Sequence, residues 1–126
     1  MPPLARSLPD MTTMLVYHNP GCSKSRGALD LLRERSVEVE VVEYLRHPPD
    51  RAALERILDA ISDPPDALVR KDKRFKDLGL DASRFTTREA VVGLLLEHPE
   101  LMERPVVFRG ERAVIGRPSE RVLELL

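Results

Sequence analysis

A strand, a helix and a second strand follow one another early in the chain, and this order restricts the fold more than any other feature. Residues 14–17 form a β-prone run that ends at Asn-Pro-Gly (19–21), a strong turn signal. Apolar side chains then recur at helical spacing over residues 25–35, and residues 37–42 mostly alternate between valine and glutamate. Because two strands joined through one helix normally lie parallel in one sheet, we expect a βαβ unit with a right-handed crossover.

The central part of the chain is predicted to be helical in short pieces. Asp50 is in position to cap a helix with apolar residues on one side, and the prolines at 64–65 separate that helix from the next. Thr86 or Thr87 caps a later helix, which stops before His-Pro at 98–99 because the residue before a proline disfavours helical geometry.

The end of the chain returns to strands. Residues 105–109 and 113–115 are β-prone and flank a tight link, which predicts an antiparallel hairpin. Pro118 suits the first turn of a final helix. The side chains expected on the buried face of that helix are Val122, Leu123 and Leu126. The order βαβ, helices, ββα predicts an α/β thioredoxin-like fold, with one mixed sheet and a helical insertion.

Size and composition are those of a single globular domain. The chain has 126 residues, of which 42% are hydrophobic and 33% charged, as in soluble proteins with one packed core. Residues 14–126 carry the strand and helix patterns and are assigned to this domain. Residues 1–13 contain prolines and polar residues without a periodic pattern, so we expect a loose N-terminal tail.

The charge and cysteine counts argue against several classes of partner. The 20 basic and 21 acidic side chains leave a net charge of −1, whereas nucleic-acid-binding proteins usually carry a basic excess. The basic run at 70–74 is interpreted as a solvated helix face. No apolar run approaches the ~18 residues that would cross a bilayer, so no membrane partner is expected. The single cysteine excludes an internal disulfide and suits a reducing cytoplasm.

That cysteine, Cys22, falls at the turn between the first strand and the first helix. The first amide N–H groups of a helix lack internal partners and carry roughly half a positive charge, which favours an anion. A thiolate is stabilised there, and Lys24 and Arg26 add to the field, so the thiol pKa is expected to fall from ~8.5 into the range of ~3.5–7.5. The same amides can hold an oxyanion. The alternative is a buried structural cysteine beside an ordinary turn.

Two neighbours of the cysteine carry alternative interpretations. His18 ends the first strand and could support the thiolate by a hydrogen bond or by its charge, or it could be purely structural. Ser25 could donate its hydroxyl to the thiolate, although capping the first helix is the simpler expectation.

Ser25 also stands where a thioredoxin would carry a second cysteine, three positions after Cys22. A serine cannot resolve a mixed disulfide, so any redox cycle through Cys22 needs a thiol from another molecule. In a cytosol, glutathione with glutaredoxin is the obvious supplier. No bound cofactor and no metal are expected.

Residues 18–26, HNPGCSKSR, resemble the active-site loop of the glutaredoxin-dependent arsenate reductases. The resemblance continues in the same order through residues 44–49 (YLRHPP), 68–70 (LVR), 101–107 (LMERPVV) and 115–123 (IGRPSERVL). It implies a thioredoxin-like fold and the reduction of arsenate to arsenite, with glutathione as cosubstrate and glutaredoxin as partner.

The resemblance also implies roles for individual residues. Cys22 would attack arsenate while His18 favours its thiolate form, and Arg70, Arg104 and Arg117 would hold the oxyanion. Arginine suits this role because its planar, permanently charged donor fork fits tetrahedral oxyanions. Without the resemblance, Arg70 would be interpreted as an ordinary surface residue.

Two finer expectations come from the same resemblance. The Arg104–Pro105 peptide bond is expected to be cis, since thioredoxin-like folds place a cis proline beside the active cysteine, although only ~5–6% of X-Pro bonds are cis. Arg26 is expected to help orient the cysteine loop.

Two other functions remain open from the sequence. The chain could be a thiol oxidoreductase that acts on another oxyanion or on glutathionylated proteins. It could also be a non-enzymatic regulator, because the same shape occurs in redox regulators that dock on RNA polymerase. Those regulators normally carry a Cys-x-x-Cys switch, and Ser25 replaces its second cysteine here.

Overall fold

The computed structural model describes residues 13–126 of the chain, in which strands and helices alternate as the sequence patterns predict. The strands are β1 (Thr13–His18), β2 (Glu38–Glu43), β3 (Val106–Arg109) and β4 (Arg112–Ile115). The α-helices are α1 (Ser23–Glu34), α2 (Arg51–Ala60), α3 (Lys73–Asp77) and α4 (Arg88–Glu97). Short 3₁₀ segments occupy Pro65–Leu68, Ala82–Arg84, Pro99–Leu101 and Ser119–Leu125.

The expected N-terminal tail falls almost entirely outside the described residues, since only Thr13 of the 1–13 segment is described, and it already belongs to β1. Among residues 13–126, no helix combines the length and the apolar character that a membrane crossing requires.

The four strands form one mixed sheet in the order β2-β1-β3-β4. β1 runs parallel to β2, with Thr13 opposite Glu38 at one end and His18 opposite Glu43 at the other. β3 runs antiparallel to β1 and also to β4. The parallel βαβ unit, the C-terminal hairpin and the α/β thioredoxin-like fold class are thereby confirmed.

Each face of the sheet is covered by a different part of the chain, because successive side chains of a strand point to opposite faces. One face packs against α1 and the C-terminal 3₁₀ segment through Met14, Val16, Val107, Val114, Ala28, Leu29, Leu32, Val122 and Leu125. The other face packs against the helical insertion through Tyr17, Val106, Ile115, Leu54, Ile57, Val91 and Leu95, among others. Strands β1, β3 and β4 therefore bury side chains against these two layers, whereas no residue of the edge strand β2 is fully buried.

The helices of the insertion begin where their capping residues predict. Asp50 accepts a hydrogen bond from the Ala53 N–H at 2.9 Å at the start of α2. Thr87, one of the two threonines considered, accepts from the Ala90 N–H at 3.2 Å at the start of α4. A side-chain cap of this kind contributes about 1 kcal/mol, so short helices such as these gain much of their definition from it.

The last element differs from its prediction. Ser119–Leu125 is a 3₁₀ helix, with Pro118 just before its first residue. A 3₁₀ helix has three residues per turn, so Val122 and Leu125 share its inner face. Both are buried, whereas Leu123 is only partly buried and Leu126 is 48% exposed. Leu123 still packs against this core from its partly buried position. The prediction of Leu126 on the buried face was wrong because it assumed the 3.6-residue period of an α-helix.

Gly116 follows β4 at a point where the packing leaves no room for a side chain. A Cβ atom there would lie 2.8 Å from Pro105 Cγ and 3.1 Å from Val122 Cγ1. We expect Gly116→Ala to lower the free energy of unfolding by ~1–3 kcal/mol, the usual cost of overpacking, as measured by urea denaturation.

Gly93 supplies the matched control. It lies on the exposed side of α4, and a Cβ there would meet no atom within 4 Å. Gly93→Ala should therefore raise stability by up to ~1 kcal/mol through helix propensity alone. Equal stability of the two variants would contradict the close approach at Gly116.

Candidate active site

The cysteine loop is held by a short network of backbone hydrogen bonds. After β1 ends at His18, the Cys22 N–H donates to the Asn19 carbonyl at 3.0 Å, and the Gly21 N–H donates to Asn19 Oδ1 at 2.9 Å. The Arg26 N–H donates to the Cys22 carbonyl at 3.0 Å, which is the first bond of α1. Cys22 is therefore the residue immediately before the helix, at the position the sequence predicts.

The electrostatic surroundings of Cys22 favour its thiolate. Burial raises the pKa of the thiol, but the backbone amides of Ser25 and Lys24 and the Arg104 side chain outweigh this and bring the pKa to about 7. The Cys22 side chain forms no capping hydrogen bond at the start of α1, but the Ser25 and Lys24 N–H groups are close enough to the sulfur to stabilise its negative charge. The thiol is partly exposed. At neutral pH about half of the Cys22 thiols are therefore ionised, and the thiolate is the form that acts as a nucleophile.

Ser25 is fully buried and holds the cysteine loop in place through contacts of its hydroxyl group. Its Oγ accepts a hydrogen bond from the Asn19 N–H at 3.1 Å and lies 2.6 Å from His18 Nδ1. A hydroxyl can accept and donate at the same time, so Oγ accepts from Asn19 while its O–H donates to Nδ1. Ser25 is the third residue of α1, so the expectation that it caps this helix was wrong.

His18 contacts Ser25 and is held in its neutral form. Its side chain is buried, and this burial lowers the pKa of the imidazole, with Arg33 and Arg26 acting in the same direction and Glu43 opposing them. A neutral imidazole with Nδ1 as acceptor matches the Ser25 hydroxyl as donor. The alternative in which a charged His18 supports the thiolate at neutral pH is therefore disfavoured by the surroundings of the ring.

The three arginines singled out in the sequence approach one another because two distant segments pair. Val69 and Met102 form an antiparallel bridge, flanked by Arg70 N–H to Leu101 O at 2.7 Å and Glu103 N–H to Leu68 O at 2.8 Å. This pairing fixes the end of the first 3₁₀ segment alongside the segment that leads into β3. As a result, residue 70 is brought beside residues 103 and 104.

Arg70 is not part of a solvated helix face. Its side chain is 23% exposed and lies 3.1 Å from Asp72 Oδ2 through Nη1. Asp72 caps α3, so only the last part of the basic run at 70–74 is helical. The interpretation of the whole run as one solvated helix face was wrong because the cap divides it.

Arg104 is the arginine whose charge and side chain stabilise the Cys22 thiolate. It lowers the pKa of Cys22, and it also lowers that of Tyr44, although burial of the tyrosine raises the pKa more. Tyr44 is completely buried, with its hydroxyl 3.4 Å from the Met102 carbonyl. Arg104 Nε is buried without a hydrogen-bond partner among the described residues. The guanidinium is thus near the thiol with unused donor capacity.

Arg117 completes the group from the loop after β4. Its Nη1 donates to the Arg104 carbonyl at 3.5 Å, and its Nε lies 3.5 Å from Glu103 Oε1. Both Arg104–Pro105 and Arg117–Pro118 are cis peptide bonds. The first was predicted and is confirmed, and the second was not predicted.

Arg26 lies at the edge of this group. Its side chain is exposed, and its charge contributes to lowering the pKa of His18. The structure therefore brings Arg104 beside Cys22. Arg117 contacts the Arg104 carbonyl, and Arg117 and Arg70 share the Glu103 carboxylate.

Two residues in this region were given no role by the sequence reasoning. Tyr44 is fully buried against Arg104, and Glu103 lies between Arg70 and Arg117. A charged residue placed between the apolar Leu101-Met102 pair and an Arg-Pro step was the available signal for Glu103. Among residues 13–126, no cluster of three or more histidine, cysteine, aspartate or glutamate side chains could hold a metal ion.

One thiol lies at the head of the first helix of a thioredoxin-like sheet, with arginines nearby. This arrangement is typical of a protein that reacts with anions through a single thiol, rather than of a dithiol oxidoreductase. Comparison with known families agrees with this class. The family model described as the ArsC family matches residues 17–125, and the chain belongs to that family.

Individual relatives cover almost the whole chain. The chain is 42% identical over 113 residues to the uncharacterized protein YfgD of Escherichia coli, covering 88% of this chain and 94% of that one. It is 39% identical over 118 residues to a protein of Neisseria meningitidis named arsenate reductase, covering 92% of this chain and all of that one. A solved structure described as arsenate reductase from Vibrio cholerae matches with a TM-score of 0.81 at 35% identity, over 93% of this chain and 100% of that chain.

The proximity of Arg104 to the sulfur predicts the pH dependence of thiol reactivity. Only the thiolate reacts with iodoacetamide, so the alkylation rate should rise with pH and level off above a midpoint near 7, the pKa of Cys22. Arg104→Met removes a cation that lowers this pKa, and the midpoint should move up towards ~8.5. Arg112→Met, at an exposed position of β4, should leave it unchanged. An unaltered midpoint in Arg104→Met would contradict the assignment.

The buried hydroxyl of Ser25 predicts a stability effect. Ser25→Ala leaves the Asn19 N–H and His18 Nδ1 without their partner, and the free energy of unfolding should fall by ~1–3 kcal/mol. The control is Ser83→Ala, which removes an exposed hydroxyl that contacts Asp81 and should change stability by less than ~0.5 kcal/mol. Denaturant titration of both variants measures the difference, and similar losses in the two would argue against a buried Ser25 network.

Proposed function

We propose that the protein is an arsenate reductase that uses glutathione as cosubstrate and glutaredoxin as partner. The observation that carries the proposal is a cysteine with a pKa of about 7 whose thiolate is stabilised by Arg104. Relatives of similar length that bear the name arsenate reductase, at 35–39% identity, support the choice of oxyanion.

The chemistry requires positive charge because two anions must meet. Arsenate is mostly dianionic near neutral pH, and the nucleophile is a thiolate. Arg104 and Arg117 supply permanently charged donors that fit an oxyanion and act where charge develops during the reaction. Arg70 would contribute from the far side of Glu103.

The first step joins sulfur to arsenic. The Cys22 thiolate attacks the arsenic of hydrogen arsenate, the S–As bond forms as an As–O bond breaks, and the departing oxygen takes up a proton and leaves as water. The product is an arsenic(V) adduct on Cys22. The amides at the start of α1 and the arginines hold the remaining oxygens.

The reduction itself needs thiols from outside the chain. Conversion of arsenic(V) to arsenic(III) takes two electrons, which two thiols supply when they couple to one disulfide. The chain has one cysteine, and Cys22 returns as a thiolate at the end of the cycle. Glutathione attacks the adduct and glutaredoxin removes the glutathione, so that arsenate and two thiols give arsenite, water and a disulfide. This supply of thiols suits the cytoplasm.

The remaining residues of the loop would act through Cys22. Ser25 and His18 fix the turn that presents the sulfur, and neither needs to exchange a proton with arsenate. Arg26 would add to the positive field at the mouth of the site. We therefore assign positioning roles to these three residues.

The test is turnover of arsenate by purified protein with glutathione and glutaredoxin, followed as arsenite release. Cys22→Ser should abolish turnover, because serine cannot form the adduct at neutral pH. Arg104→Ala should reduce kcat/KM by about 10²–10³, the loss typical of one oxyanion donor. Arg112→Ala, at an exposed site on β4, should retain the activity of the unaltered protein.

Three results would contradict the proposal. These are an unaltered protein that fails to reduce arsenate under these conditions, a Cys22→Ser variant that still turns over, and an Arg104→Ala variant with unchanged kinetics. Absence of turnover with every oxyanion tried would favour a regulator without catalysis.

A further inference from the structure

A carboxylate lies inside the group of arginines that the proposed function assigns to the oxyanion. Glu103 Oε1 is 3.6 Å from Arg70 Nε and 3.5 Å from Arg117 Nε. These distances allow strong charge attraction, but Oε1 is buried and makes no hydrogen bond within the described residues. The side chain of Glu103 is 21% exposed, so solvent reaches only part of the carboxylate.

We propose that Glu103 is an internal counter-anion which an incoming oxyanion must compete with, and that oxyanion binding is coupled to protonation of this carboxylate. The inference rests on the proposed function, because it concerns the same oxyanion site. It assigns to Glu103 a positioning and charge-setting role, without contact with the reacting atoms.

The balance of charge in the site supports this coupling. Arg70 is paired with Asp72 on its other side, at 3.1 Å. Lys71 is paired with Asp66. Arg117 and Arg104 then face the Glu103 carboxylate, and Arg104 also faces the ionised Cys22. Entry of a dianion would leave this buried group with excess negative charge, which is costly at low effective dielectric. Uptake of a proton by Glu103 removes part of that excess.

The groups that face Glu103 come from each segment packed against it. They are Arg117 from the loop after β4, Arg70 and Lys71 from the segment before α3, and Arg104 from its own segment. Burial nevertheless raises the pKa of Glu103 above its usual value despite these cations. An anion bound nearby raises the pKa further, in the same direction as burial, so binding favours the protonated carboxylate.

The sign of the pH effect follows from this order of pKa values. Between the pKa of Glu103 in the free protein and its higher pKa in the complex, binding takes up protons and the affinity falls as pH rises. Above the higher pKa the carboxylate stays charged in both the free and the bound protein, so the affinity is weak and no longer changes with pH. A glutamine keeps position 103 uncharged at every pH, so the affinity of the variant should not show this fall.

The experiment measures sulfate binding by calorimetry in the Cys22→Ser background. Sulfate remains a dianion throughout the useful pH range and the serine removes the thiol titration, so the measured proton uptake reports the other protein groups. At about pH 8, Glu103→Gln in this background should bind sulfate about tenfold more tightly than the parent, the effect of removing one close like charge. The two should converge as the pH falls.

Proton uptake is a second readout, and its measurement on the parent does not depend on the folding of the variant. Titrations of the parent in two buffers with different ionisation enthalpies should show uptake approaching one proton per sulfate in the range where the affinity falls, and Glu103→Gln should lose that uptake. His18 is present in both proteins, so it cancels in the comparison. Glu100→Gln is the matched control, because Glu100 pairs with Arg74 and His98 at the surface and its loss should change neither readout.

The contradicting outcomes are distinct from one another. If the parent binds sulfate without proton uptake, or Glu103→Gln binds no more tightly than the parent at about pH 8, the counter-anion role is wrong while the oxyanion site stands. If Glu103→Gln loses binding at all pH values, the carboxylate is a scaffold for the arginines and the inference is again overturned. If the parent binds no sulfate at any pH, the oxyanion site itself fails, and both proposals fail with it.

Discussion

The antiparallel bridge between Val69 and Met102 is the contact on which the arrangement of the site depends. Two short backbone hydrogen bonds flank it, and they join the helical insertion to the segment that enters β3. These backbone groups are buried, so separating the two segments would leave donors and acceptors unpaired at a cost of about 1–3 kcal/mol each. The bridge therefore holds Arg70 beside residues 103 and 104.

Much of the fold was predictable because its signals are local. The alternation at 37–42, the turn at 19–21 and the caps Asp50 and Thr87 each act over a few residues, and each element formed where its signal lies. The C-terminal segment was the exception. A choice between 3₁₀ and α geometry depends on packing against α1 and the sheet, which no local pattern of leucine and valine records.

The site was predictable only where the order of strands and helices along the chain fixes the position of a charged group. Cys22 at the head of α1 follows from one strand, one turn and one helix. The pairing of Glu103 with Arg70 and Arg117 depends on contacts between residues more than ten positions apart, and single-sequence reasoning has no access to these. The role of Ser25 was missed for a related reason. A serine near a helix start normally suggests a cap, but here the turn brings Asn19 and His18 beneath the helix, where they bind the hydroxyl instead.

The polar atoms left unpaired inside the protein point to the same place. In the part of the chain that the structure describes, Glu103 Oε1 and Arg104 Nε are the buried side-chain atoms without a hydrogen-bond partner, and they belong to consecutive residues. Folded proteins pair nearly all such atoms, so two adjacent exceptions need a physical reason. A bound oxyanion would offer an acceptor to Arg104, and a proton taken up with it would neutralise the carboxylate. One binding event would thus give Arg104 Nε an acceptor and remove the charge of the Glu103 carboxylate.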